Sequence, residues 1–213
     1  MLPRHIIESN GYLTKQIIAF YDCAYMRSDH ESSGFSIRVS NAIRTLKNTF
    51  NCESDNKLFR AKNYIREIAT TDLKKIIEQE RIENPIIVCA PRSKADFSDK
   101  QLLFRKAISE AANNNSTVAT NGAEYIRRVR NTKTTHLTKT KKGDMSGDGD
   151  MPYPGITNDT CRLIGSVSGR NVILVDDIYT KTVNIDEDCC QFLLDNGAKS
   201  VTLYTICKTM IGS

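Results

Sequence analysis

The sequence predicts an α/β fold: a parallel sheet flanked by helices, with a helical cap at the N-terminus. Three observations carry this. Gly169-Arg-Asn-Val-Ile-Leu-Val-Asp-Asp177 reads as a buried strand, followed by a turn (178–184), a helical pattern with Ile185, Cys189, Phe192 and Leu193 on one face, and a second strand over 201–207. Strand, turn, helix and strand make one βαβ unit, which implies a parallel sheet. An earlier apolar run, Ile86-Ile-Val-Cys-Ala90, has the same buried-strand character and leads into another helical pattern. The first 84 residues, in contrast, follow helical spacing.

In chain order, Ile17, Tyr21, Ala24 and Tyr25 give a first helical pattern, and Val39, Ala42, Ile43, Leu46 and Phe50 a second. A polar turn over 29–34 separates them. Leu58, Ala61, Ile65 and Ile68 form a third, continuing through Leu73, Ile76 and Ile77. Residues 1–84 are therefore expected as a helical cap or hood, and 85–213 as the α/β core. Within that core, Phe104, Ala107, Ile108 and Ala111 predict a helix closed by Asn113-Asn-Asn115, and 125–129 is a weaker strand. Residues 131–156 have almost no apolar periodicity and read as a long flexible loop spanning 130–156; such loops in compact domains act as lids or are disordered. Asn196-Gly197 stops the last helix, and Asn184 with Glu187 has the spacing of a capping box. Asp186, Glu187 and Asp188 in that first turn suit the helix dipole.

Composition narrows the function classes. The chain has 213 residues, 30 basic and 25 acidic, for a net charge of +5. That is too mild to demand a nucleic-acid partner. No apolar run approaches the ~20 residues of a membrane span, and residues 1–10 lack a signal peptide's apolar stretch, so a cytoplasmic protein without membrane contact is expected. Seven cysteines, an odd number without Cys-x-x-Cys spacing, suit buried reduced thiols, and adjacent Cys189-Cys190 fit a buried helix face. The histidines at 5, 30 and 136 are scattered, which disfavours a histidine metal site. Arg127, Arg128, Arg130, Lys133, Lys139, Lys141 and Lys142 form a basic run with no acid between them, suited to a lid over phosphates or to a nucleic-acid or protein partner through 127–142. The run has no aromatic residue for base stacking.

The chemistry concentrates at Asp176 and Asp177. In open α/β sheets ligands bind beyond the carboxyl ends of the strands. The turn after these acids leads into a helix N-terminus, where unsatisfied N–H groups and the dipole favour phosphate. Two carboxylates beside such a cradle suit a sugar phosphate, through ribose hydroxyls or a hydrated Mg²⁺.

Val172-Ile-Leu-Val-Asp-Asp-Ile-Tyr-Thr-Lys-Thr-Val-Asn184 resembles the phosphoribosyl-pyrophosphate motif of type I phosphoribosyltransferases, and its wording is most similar to the competence-protein-F-like (ComF-like) branch. Ile126-Arg-Arg-Val-Arg-Asn-Thr-Lys133 is similar to the segment that opens that branch's flexible catalytic loop, and Ala90-Pro-Arg-Ser-Lys94 is placed like the family's pyrophosphate loop. The resemblance spans roughly 85–208. It implies a phosphoribosyltransferase-like sheet and Mg²⁺-dependent transfer of a ribosyl phosphate from phosphoribosyl pyrophosphate to an acceptor the sequence does not identify. By position, Asp176 and Asp177 hold ribose hydroxyls or Mg²⁺. Tyr179, Thr180, Lys181, Thr182, Val183 and Asn184 form the 5′-phosphate turn. Arg92, Ser93 and Lys94 approach pyrophosphate, and Arg130 opens the lid. The same fold also serves accessory proteins of bacterial antiviral defence, including retrons. A second expectation is therefore an effector that senses a nucleotide or binds a reverse transcriptase and its nucleic acid. A third is a generic nucleotide binder independent of the 92–94 loop. A homo-oligomer is compatible with all of them.

Overall fold

The computed structural model describes residues 1–26, 34–133 and 155–210. A six-stranded sheet runs through the molecule in the order β1 (Arg4–Ile7), β2 (Ile17–Ala24), β8 (Ser200–Lys208), β7 (Asn171–Tyr179), β3 (Ile86–Cys89) and β4 (Thr120–Asn121). All neighbours are parallel except the edge strand β1, which is antiparallel to β2. The mixed α/β class with a mostly parallel, helix-flanked sheet is as the sequence predicts.

Parallel strands covered on both faces need apolar side chains on both. This explains the unbroken runs in β3, which is buried throughout, and in Val172–Val175. One face carries α1 (Phe35–Lys47), α2 (Asp55–Glu80) and α3 (Leu103–Asn114), packed through residues such as Leu46, Ile65, Leu73 and Ile108. The other face carries α4 (Ile185–Asp195) and the small antiparallel ribbon β5 (Ile126–Arg128) with β6 (Cys161–Leu163). Gly197, in the left-handed region at φ 88°, ends α4.

The N-terminal expectation is corrected. Ile17–Ala24 is a strand, not a helix, and β2 pairs with β8 in the main sheet, with Ala19 opposite Leu203 and Cys23 opposite Cys207. The division at residue 84 is not a break in the sheet, because β1 and β2 extend it. Inside a sheet covered on both faces, Ile17, Tyr21 and Ala24 are all buried or half-buried whichever face they take, so their spacing imitates a helical stripe. The other two helical patterns are helices, α2 being one uninterrupted 26-residue element. Phe50 lies beyond α1 and is exposed.

Two smaller readings also change, and a third holds. β7 runs two residues past the acids, to Tyr179, because β8 is long enough to pair with it through Lys208. The strand expected at 125–129 forms over Ile126–Arg128, in the separate ribbon. Asn184 makes no side-chain cap on α4, so the capping box is absent. The turn expected at 29–34 lies, except for Gly34, outside the described residues, as does most of the 130–156 loop. No helix among the described residues is long and apolar enough to cross a membrane.

Candidate functional site

The connection from β3 leads through α3 to β4 on one side, while that from β7 leads through α4 to β8 on the other. The chain thus diverges between the carboxyl ends of β3 and β7, the position where open α/β sheets hold ligands. A cleft of about 130 Å³ lies there. Asp176 and Asp177 of β7 line it, with Arg92 and Ser93 from the loop after β3, Lys47 from α1, Arg105 from α3 and Arg128 from β5.

The two acids have different environments. The Lys47 Nζ is 3.3 Å from Asp177 Oδ2. Burial alone would pull the Lys47 ammonium down, but Asp177 and then Asp176 outweigh it, so Lys47 stays charged more firmly than an ordinary lysine. Asp176 accepts a hydrogen bond from the Asp177 backbone N–H at 2.7 Å and lies in hydrogen-bond reach of the Asp186 carboxyl. Burial, then repulsion from Asp177, pushes Asp176 up to about 7. Burial and the nearby Asp176 raise Asp186 well above the carboxylate range. Two such groups in contact share a proton rather than ionise together.

The cationic wall is braced by main-chain carbonyls. Arg92 donates from Nη1 to the Gln101 carbonyl at 2.5 Å and stacks 4.0 Å above the Phe97 ring. Burial lowers its guanidinium, and Asp177 and Asp176 push back. Arg128 donates from Nε to the Arg92 carbonyl at 2.9 Å and from Nη1 to the Gly155 carbonyl at 2.7 Å. The loop after β3 is also tied to the chain after β5, by the Thr132 N–H donating to the Ser93 carbonyl at 2.9 Å.

Among the residues singled out from sequence, Asp176, Asp177, Arg92 and Ser93 meet in this cleft. Lys94 does not line it. Tyr179 is buried and donates from its hydroxyl to Glu187 Oε1 at 3.0 Å; with Lys181 it lines a separate groove beside His5 and Lys208 rather than the cleft. Thr180, Thr182, Val183 and Asn184 form the turn between β7 and α4, adjacent to the cleft but not on its walls. That turn is closed by the Val183 N–H donating to the Thr180 carbonyl at 3.0 Å. Arg130 is exposed. In the basic run, Arg127 points to solvent while Arg128 is spent on carbonyls; residues 134–142 lie outside the described residues.

Sequence reasoning missed Lys47, Arg105 and Gln101, which tertiary packing alone brings to the acids. It also assigned Asp186 and Glu187 only to the helix dipole and cap, yet both are buried. Asp188 instead accepts from the Ile156 N–H at 2.6 Å and pins the end of the 130–156 loop.

As ligands for a divalent ion, Asp176 and Asp177 fit poorly. Asp177 already pairs with the Lys47 ammonium, and Asp176 already accepts from the Asp177 N–H. Among the described residues, no set of three His, Cys, Asp or Glu side chains is arranged to hold a metal. What the cleft offers is a surplus of fixed positive charge around two adjacent acids, which suits a polyanion bearing hydroxyl groups.

No family model matches the chain, and no curated protein does. A solved structure that resembles it is that of a glutamic acid mutant made to analyse an invariant aspartic acid in HPRTs, with 12% identity, 71% of each chain covered and a TM-score of 0.36. A likeness this slight adds nothing to the geometry. What the chain's own coordinates establish is a mixed α/β fold with a charged cleft at the divergence point of its sheet.

Proposed function

We propose that this is a phosphoribosyltransferase-like protein whose cleft binds a ribose phosphate, phosphoribosyl pyrophosphate by the resemblance of its motif, and transfers the ribosyl group to an acceptor. The observation that carries this reading is the meeting of Asp176, Asp177 and Arg92 at the divergence point between β3 and β7. The Asp177 carboxylate accepts from ribose hydroxyls. Asp176, when protonated, donates to one; when ionised, it accepts. The amides at the start of α4 and the turn before it present N–H groups to a 5′-phosphate. Arg92, Arg105 and Lys47 face the side where pyrophosphate departs, and their fixed charges stabilise the negative charge that grows on it as the bond to the anomeric carbon lengthens. Positive charge developing on the ribose ring is met by Asp177.

The test is a thermal-shift titration with phosphoribosyl pyrophosphate. Saturation to ~100 times Kd adds ~2.7 kcal/mol, a rise of roughly 5–11 °C for a chain of this size. The rise should vanish in Asp176→Asn/Asp177→Asn. No rise at millimolar ligand, or an equal rise in the double variant, overturns the reading.

A further inference from the structure

Lys47 reaches the acids from an element outside the βαβ unit that carries them. It lies in the last turn of α1, and Asn48 ends that helix in the left-handed region at φ 38°. Gln101 fixes this helix end, donating from Nε2 to the Asn48 carbonyl at 3.2 Å and the Thr49 carbonyl at 3.4 Å. The same Gln101 accepts from Arg92 through its own carbonyl, and its side chain is held by the Ser98 hydroxyl at 3.1 Å and the Ser98 N–H at 3.2 Å. One buried glutamine thus braces both the end of α1 that carries Lys47 and the Arg92 guanidinium. Lys47 is therefore a built part of the cleft.

We propose that the Lys47 ammonium is the resident counter-cation of the acid pair and stands where a divalent ion would otherwise bridge acid and ligand, so that ribose phosphates bind here without metal. This rests on the ribose-phosphate reading above. Lys47, Arg92, Arg105 and Arg128 line the cleft with Asp176 and Asp177, four cations against two acids, so positive charge is in surplus there before any ion enters. A divalent ion on Asp177 would meet the ammonium already there, at a distance where like charges repel without much screening. As ligand arrives, the ammonium exchanges its contact with Asp177 for one with a phosphoryl oxygen, a swap of one charge-assisted contact for another.

Two measurements test this and separate its failure from failure of the ribose-phosphate reading. In the first, ribose 5-phosphate is titrated calorimetrically in EDTA and again with excess Mg²⁺. Wild-type affinity should agree within about two-fold between buffers, Lys47→Met should bind about ten-fold or more weakly in EDTA, and Lys47→Arg should retain most of the affinity. Tightening of the wild type by about ten-fold or more with Mg²⁺, or unchanged affinity in Lys47→Met, overturns the proposal. In the second, Mn²⁺ is titrated into the protein without ligand and followed by electron paramagnetic resonance. Lys47→Met should gain a bound ion that Lys47→Met/Asp177→Asn loses, and the wild type should show none that depends on Asp177. An Asp177-dependent ion in the wild type, or no gain in Lys47→Met, overturns it. Should ribose 5-phosphate bind in neither buffer, the ribose-phosphate reading fails and the Mn²⁺ titration alone decides the role of Lys47.

Discussion

Asp176→Asn should make the protein more stable at pH 8 while destroying its proposed binding site. Asp176 is pushed from 3.8 to about 7, by burial first and then by Asp177. In the unfolded chain the same carboxyl titrates near 3.8, so between pH 4 and 7 the native state holds the extra proton. Stability therefore falls as pH rises through that window and stays low above it. At ~1.4 kcal/mol per tenfold change in proton affinity, the rise sets a ceiling of roughly 4 kcal/mol. The gain will be smaller, because the carboxylate accepts from the Asp177 N–H and the amide oxygen that replaces it makes a weaker, uncharged bond. The new amide N–H groups can in turn donate to Asp186. We expect a net gain of roughly 1–3 kcal/mol at pH 8, or roughly 2–12 °C in melting temperature, shrinking to nothing by pH 4. Paired thermal melts from pH 4 to 8 measure this, and the difference between proteins cancels the titrating groups that do not touch Asp176. An advantage that is the same at both ends, or a variant less stable at pH 8, would refute the reasoning.

Three further outcomes follow from groups outside the cleft. Tyr179→Phe strips Glu187 Oε1 of the tyrosine hydroxyl while Oε2 already lacks a partner, and should cost roughly 1–3 kcal/mol by urea denaturation; a neutral variant would mean Glu187 is protonated and content. His5 is lowered to about 4, by burial and then by Lys208. The unfolded state thus takes up a proton between pH 6.5 and 4 that the native state refuses, and stability falls as pH drops through that range. His5→Gln should flatten this acid limb of the melting curve, and an unaltered limb counts against the assignment. Of the seven cysteines only Cys52 is exposed, so a thiol reagent should titrate a single group rapidly in the native protein and all seven after denaturation.

How far the sequence could be read depends on whether the determining contacts were local. In β3, β7 and α2 the information is local: strands buried on two faces write continuous apolar runs, and α2 repeats its buried positions from Leu58 to Ile77. β2 failed because its identity as a strand comes from β8, some 180 residues away, and nothing near Ile17 records that partner. The site divides in the same way. Asp176, Asp177, Arg92 and Ser93 sit beside their strands and were legible; Lys47 and Gln101 reach the acids through the packing of α1 onto the loop after β3. Asp186 was legible in principle. At 100° per residue, three successive acids at 186–188 sweep 200° of a helix, and α4 buries the next two residues, Cys189 and Cys190. One or more of those acids had to turn inward, and a buried acid near Asp176 is a site residue rather than a dipole ornament.

The turn after β7 shows the same principle at a single bond, and yields the last prediction. The phosphate turn it resembles usually carries glycine where this chain has Thr182, which suggests that restoring glycine would improve the turn. The backbone says otherwise. Thr182 is not in the left-handed region, whereas Asn184 is, at φ 56° and ψ 20°. The conformation for which glycine is normally recruited thus falls two residues later, on asparagine, the residue after glycine that tolerates it best. Thr182→Gly therefore relieves no strain and only loosens the unfolded chain, costing up to ~1 kcal/mol. Asn184→Ala forces a β-carbon into the left-handed region at roughly 1–2 kcal/mol, while Asn184→Gly should be neutral or slightly stabilising. Urea midpoints should thus rank Asn184→Gly highest and Asn184→Ala lowest, with Thr182→Gly between them. If instead Thr182→Gly stabilises the protein and also tightens ribose 5-phosphate, the turn is a weakened copy of the one it resembles, and the geometry at Asn184 is incidental to phosphate binding.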